Sequence, residues 1–272
     1  MTSTTSAPLR QAGPLGGVTG TLVVMEHFWL RYRRNWTAGV VSGVLQPLIA
    51  LLAFGLALGP LVTPGPATAN VEYLVFLAPG LLAMTAVQVA AVESSYPVHA
   101  CFRSRHTYFA MITGPLTAAQ VVAGQLGWIA ARILVSCGGY LAVIVVIGGA
   151  HGPGSVLALV FATVSGMAMA APIVAFAASI DKEGGKFGVM FRFVILPMTL
   201  FAGTFFPVSV LPAGIRPLAW ISPLWHGTEL ARGAVLGSLR LLPATGHLGY
   251  LLVVTAVGVV LAARQFRARL FT

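Results

Sequence analysis

The sequence predicts an all-α polytopic membrane protein of six transmembrane helices, with an N-terminal interfacial helix and re-entrant helices before the last span. Three observations predict it. Apolar residues make up 57% of the chain and charged residues only 8%, with a mean hydropathy of +0.90. A soluble domain carries about a quarter charged residues, so this chain cannot cover a water-facing surface. Long apolar stretches recur, each near the roughly 20 residues that cross a bilayer core. The basic residues behind the net charge of +10 gather in alternate connecting segments.

The elements follow in order. Residues 1–20 are rich in Ser, Thr, Gly and Pro and lack an apolar core, so a disordered cytoplasmic tail is expected rather than a signal peptide. Residues 21–37 are expected to form an amphipathic helix. At 100° per residue Leu22, Met25, Trp29, Tyr32 and Trp36 share one stripe, with His27, Arg31 and Arg34 opposite and Arg33 at the edge. Aromatics on one face and Arg on the other suit a helix lying in the membrane interface, in contact with lipids. The bland alternative is a plain cytoplasmic flank of the first span.

A transmembrane unit over 38–272 comes next. Its first span is expected over about Gly39–Leu61, kinked at Gln46-Pro47. The second is expected over Tyr73–Val92, the third within Leu116–Ile147, the fourth over Val156–Ile180 and the fifth over Phe187–Phe206. Pro207–Gly246 is apolar but repeatedly broken by Pro and Gly, which predicts re-entrant or surface-lying helices, tolerated only where protein or water satisfies the backbone. The last span is expected over His247–Ala263.

Orientation follows from the short loops. Arg31, Arg33, Arg34, Arg103, Arg105, Lys182, Lys186, Arg264, Arg267 and Arg269 fall on one side, and the first two loops of the other side hold no Arg or Lys. Both termini are therefore expected in the cytoplasm.

Chemistry-bearing residues are few. Cys101 and Cys137 lie far apart with no His or Cys at metal spacing, and the six His are scattered. No phosphate-binding G-x-x-x-x-G-K-[ST] occurs, so no nucleotide site and no cofactor is expected in this chain. The basic residues form no contiguous polar domain, which argues against nucleic acid. No acid is expected at mid-depth in a span, which disfavours ion-coupled transport. Intramembrane charges remain as candidates: Glu93, Arg132, Arg192 and Glu229, the last three residues before Arg232. Arg132 reads either as an anchor that snorkels or as a substrate or subunit contact. Phe201 and Phe205 recur at i, i+4, a spacing that suits packing or the lining of a path.

Two stretches carry a family resemblance. The first is Ala110-Met-Ile-Thr-Gly-Pro-Leu-Thr117 followed by Trp128 and Arg132. The second is Phe201-Ala-Gly-Thr-Phe-Phe-Pro207 through Pro212, then Pro223-Leu-Trp-His226 with Glu229 and Arg232. Together they resemble ABC-2-type exporter permeases, particularly the nodulation-factor and daunorubicin-resistance branches. The resemblance implies a bacterial inner-membrane half-transporter that pairs with a second permease and with separate ABC ATPase subunits, which bind the ATP and Mg. It implies a coupling helix over about 97–112, carrying Arg103, Arg105, His106, Tyr108 and Phe109. It implies a pathway or subunit interface near Arg132, Phe201, Phe205, His226, Glu229 and Arg232. Export of a drug, including antibiotic resistance or multidrug efflux, or of a lipid-linked or glycan-type molecule would follow. An integral-membrane transferase or hydrolase, built on His226 and Glu229, and a secondary transporter are the alternatives.

Overall fold

The computed structural model describes residues 15–34, 36–65, 68–103, 106–149, 152–180 and 185–271, and these are helical with short connections. Five helical runs are long and apolar enough to cross a membrane: Gly43–Leu61, Tyr73–Arg103, Ala118–Ile147, Gly154–Ser179 and Leu241–Phe271. The expected fifth span takes a different form, described below.

Helix α1 (Gly17–Arg33) takes in the last four residues of what composition assigned to a tail, and it ends before Trp36. Its buried stripe is Gly20, Val24 and Phe28, while Leu22, Trp29 and Leu30 stay exposed. The stripe packs on α7 (Ala118–Ile147). Close approach explains the small residues: a Cβ on Gly20 would collide with Gln120, and one on Gly124 with Val24. The α7 start is a capping box, in which the Gln120 N–H donates to Thr117 Oγ1 at 3.3 Å and the Thr117 N–H to Gln120 Oε1 at 2.8 Å. Gln120 Nε2 also donates to Leu15 O at 2.9 Å, tying the start of α1 to that cap.

The chain continues through α2 (Trp36–Val40), a π turn over Val41–Leu45, and α3 (Gln46–Leu58). The π turn sits directly before Pro47. A proline ring clashes with the carbonyl four residues back and supplies no N–H, and widening the preceding turn relieves both problems. Helix α4 (Tyr73–Ser94) follows, and a bend at Ser95 leads into α5 (Tyr96–Arg103). Helix α6 (Thr107–Ile112) is separate, entered through His106 in the left-handed region at φ 48°. The expected single helix over 97–112 is thus an elbow of two short helices.

Helix α7 ends at Gly148, whose φ of 88° is open to glycine and lets its N–H cap Ile144. Helix α8 (Gly154–Ser179) is the hub, packing against α4, α7, α12 (Pro223–Val235) and α13 (Leu241–Phe271). Small residues at these contacts allow this: a Cβ on Gly166 of α8 would meet Ala86 of α4, and one on Gly258 of α13 would meet Pro172 of α8. Helix α13 begins at Leu241, six residues before the expected span, so the Pro- and Gly-broken segment is shorter than expected.

Between α8 and that segment runs α9 (Gly185–Met190), a second π turn over Phe191–Ile195, and α10 (Leu196–Phe201), again with the proline, Pro197, directly behind. At one end Phe187 packs against Tyr96, His99 and Phe176. At the other, Phe205 packs on Phe54 and its carbonyl accepts from the Tyr73 hydroxyl at 3.2 Å. Tyr73 begins α4 and Tyr96 follows its end, so this interrupted helix runs the length of the bundle. α11 (Arg216–Ile221) and α12 then form a hairpin whose tip, Pro223, accepts from Ser165 midway along α8 at 2.9 Å. A Cβ at Gly154, the start of α8, would strike Ala234 near the end of α12. The hairpin therefore enters the bundle from one end and returns to it.

Candidate functional site

Contacts define two ends of the bundle. The starts of α1 and α7, the elbow α5–α6, the end of α8 and the end of α13 share one. There Phe266 meets Phe102 and Tyr108, and the Arg269 guanidinium caps Ala178 O at 2.9 Å. Basic residues gather at this end, the one that the sequence leads one to expect in the cytoplasm.

The elbow is anchored from beneath. Phe102 and Tyr108 are fully buried, and the Tyr108 hydroxyl donates to Gln125 Oε1 of α7 at 2.7 Å. Tyr108 was expected to face a partner; instead it fastens the elbow to the bundle. Arg103 and His106 are exposed, and Phe109 is half-buried against Phe102 and His106. Arg105 lies outside the described residues.

Beside the elbow, three elements converge on Arg132. Its Nε donates to Glu93 Oε1 at 3.0 Å, and its guanidinium lies 4.1 Å from the centre of the Tyr32 ring. Only 5% of Arg132 is exposed. The pair was not legible in the sequence, because 39 residues separate its members and no periodicity links them. The one available signal was that both are rare charges of opposite sign at similar depth. A cleft of about 440 Å³ opens on one side of the pair, lined by Phe28, Arg31, Tyr32, Arg34, Gln125 and Trp128 among others. A smaller cavity of about 80 Å³ lies on the other, lined by Gln46, Thr85, Gln88 and Arg132. Glu93 lines both. Among the other candidates from the N-terminal segment, Trp29, Arg31, Arg33, Arg34 and Trp36 are exposed.

The remaining candidates meet at the opposite end. Arg232 is buried and donates to Phe76 O at 3.3 Å, Gly203 O at 3.0 Å and Thr204 O at 3.3 Å, with Glu229 at 3.5 Å. The bonds to Gly203 and Thr204 hold the chain just beyond α10. Gly80 has no Cβ because one would sit 2.9 Å from Thr204 O. His226 Nε2 lies 2.9 Å from Trp220 O and its Nδ1 2.7 Å from that of His247. The carbonyl requires His226 to carry its proton on Nε2, so His247 Nδ1–H is the donor between the rings. Tyr250, stacked on His226, donates to Ile221 O. These bonds join the hairpin to α13. They pair His226 with a ring and Glu229 with Arg232. Phe201 is exposed and lines an apolar cavity of about 390 Å³ beside Pro197 and Leu218.

Residues 19–236 match the ABC-2 type transporter family model. Nodulation protein J of Rhizobium leguminosarum bv. viciae is 28% identical over 260 residues, covering 94% of this chain and 97% of that protein. Nodulation protein J of Rhizobium meliloti (strain 1021) is 26% identical over 250 residues, covering 92% and 93%. That of Neorhizobium galegae is 28% identical over 227 residues, covering 81% and 83%. These relatives lend no support to the drug-resistance side of the resemblance. The family match covers all but the first two residues of α1, together with the elbow, the buried ion pair and the hairpin, and the chain belongs to the ABC-2 type transporter family.

Proposed function

We propose that this chain is the permease subunit of an ATP-driven exporter, working as one of two permease copies with a separate ABC ATPase. The observation that carries this reading is the elbow. It is an exposed, basic, aromatic-bearing projection at the inner end, fastened through Phe102 and Tyr108 to α7 and α13. A soluble ATPase transmits work to a membrane bundle only through contact, and a projection bonded to two long helices passes displacement inward. ATP and Mg belong to the partner subunit. The interrupted helix 185–201 is the sixth crossing, which puts both termini in the cytoplasm, and the α11–α12 hairpin re-enters from the outer face. The cargo is an amphipathic molecule taken from the cytoplasm or inner leaflet.

The test is charge reversal. Arg103→Glu with Arg105→Glu is expected to leave the permease in the membrane while lowering its stimulation of the co-purified ATPase at least tenfold. Full stimulation and transport in that variant overturns the assignment of the elbow.

A further inference from the structure

We infer that Arg132 and Glu93 form the head-group site for an uncharged amphiphile, one that presents a hydrogen-bond acceptor and donor side by side. The inference rests on the exporter reading for the identity of the molecule as cargo; the site stands on its own geometry.

Arg132 Nη1 is buried without a hydrogen-bond partner among the described residues. A buried charged donor left unmatched is costly, and such a group in a native structure calls for an acceptor. Arg132 lines the 80 Å³ cavity together with the amide side chains of Gln46 and Gln88 and the hydroxyl of Thr85. All three are polar and neutral. Gly43 of the π turn and Pro47 behind it form part of its wall.

Charge decides the class of ligand. In the small cavity the charges of Arg132 and Glu93 cancel and the rest of the lining is neutral, while Arg31 and Arg34 stand at the larger cleft. An anion drawn to Nη1 meets the Glu93 carboxylate, whose Oε1 lies 3.0 Å from the Nε of the same guanidinium. A cation meets the guanidinium in the same way. A neutral group such as a vicinal diol or a carboxamide accepts from Nη1 and donates to the carboxylate, satisfying both. Size sets the rest: 80 Å³ holds only a small polar group, so the body of the molecule lies in the larger cleft. There Phe28, Tyr32 and Trp128 offer ring surface to its apolar part.

Binding to the full-length permease in phosphatidylcholine nanodiscs, without ATPase, tests this with octyl glucoside and octyl phosphate below their micellar ranges. Octyl glucoside is expected to bind saturably and at least about tenfold more tightly than octyl phosphate. Arg132→Gln and Glu93→Gln are each expected to weaken it about tenfold or more, the scale of a lost hydrogen bond to a buried charge. Either variant strands its partner's charge, so Gln88→Leu, which touches no ion pair, and the charge-neutral double variant accompany them. Gln88→Leu is expected to weaken binding about threefold, and the double variant as much as either single one. No saturable binding, equal affinity for octyl phosphate, or unchanged binding in all variants overturns the inference. A negative result here leaves the ATPase coupling test untouched, and failure of that test leaves this site standing.

Discussion

A guanidinium set among carbonyls does different work from one facing a carboxylate, and this chain buries one of each. Arg232 holds three backbone oxygens of two elements, and the bonds at Gly203 and Thr204 satisfy groups that no helical turn follows. Arg232→Met leaves those oxygens unmatched, and the expected cost is on the order of 3 kcal/mol from two or three buried acceptors. Thermal unfolding of the purified permease measures it. Arg232→Lys is expected to recover less than half, because an ammonium cannot span the fork. The link between Glu229 and Arg232 was legible from their spacing, whereas the carbonyl cage was not, since it depends on how three distant segments close. Tyr108 shows the opposite failure. Its neighbours Arg103 and His106 mark an exposed loop, and a single sequence cannot reveal that one ring among them turns inward.

At the scale of elements, the contact between α1 and α7 is a seam of small residues. Gly124→Leu drives a side chain into Val24 and the backbone of Thr21, so α1 is expected to lift away. The expected loss is about 1–3 kcal/mol, with α1 becoming sensitive to protease. Gly138→Leu on the same helix meets open space and serves as the control; equal behaviour of the two variants would count against the seam. Periodicity located α1 and its exposed apolar residues, Leu22 and Trp29 among them. It missed the Gly20–Val24–Phe28 face because a glycine carries no hydrophobic signal. Both proline-led π turns were visible only as Pro47 and Pro197: the sequence announces a kink, while the backbone chooses between bending and widening.

The whole bundle closes on itself, with the start of α1 and the end of α13 at one end. Cysteines at Thr19 and Arg267 are therefore expected to react with an impermeant maleimide from one side of the membrane, and a cysteine at Ser238 from the other. Both native cysteines are buried and free, which keeps background labelling low. Opposite-side labelling of Thr19→Cys and Arg267→Cys would mean that 185–201 does not cross. Apolar stretches were enough to read the all-helical membrane class and most of its long helices. They could not show that α8 is the hub, because its alanines and glycines look unremarkable until four helices are laid against them.

The two π turns divide the molecule mechanically. Helices α4, α7, α8 and α13 form a braced frame, joined by close-packed small residues and aromatic contacts. The two staves outside that frame, 43–61 and 185–201, each carry a joint where proline has already removed one rung of the ladder. Flexing at such a joint costs less than flexing an unbroken helix. One joint borders the Arg132 cavity and the other runs from the elbow's neighbour Phe187 toward the Arg232 cage. On the exporter reading, a push at the end that carries the elbow is expected to find its give in the staves before the frame.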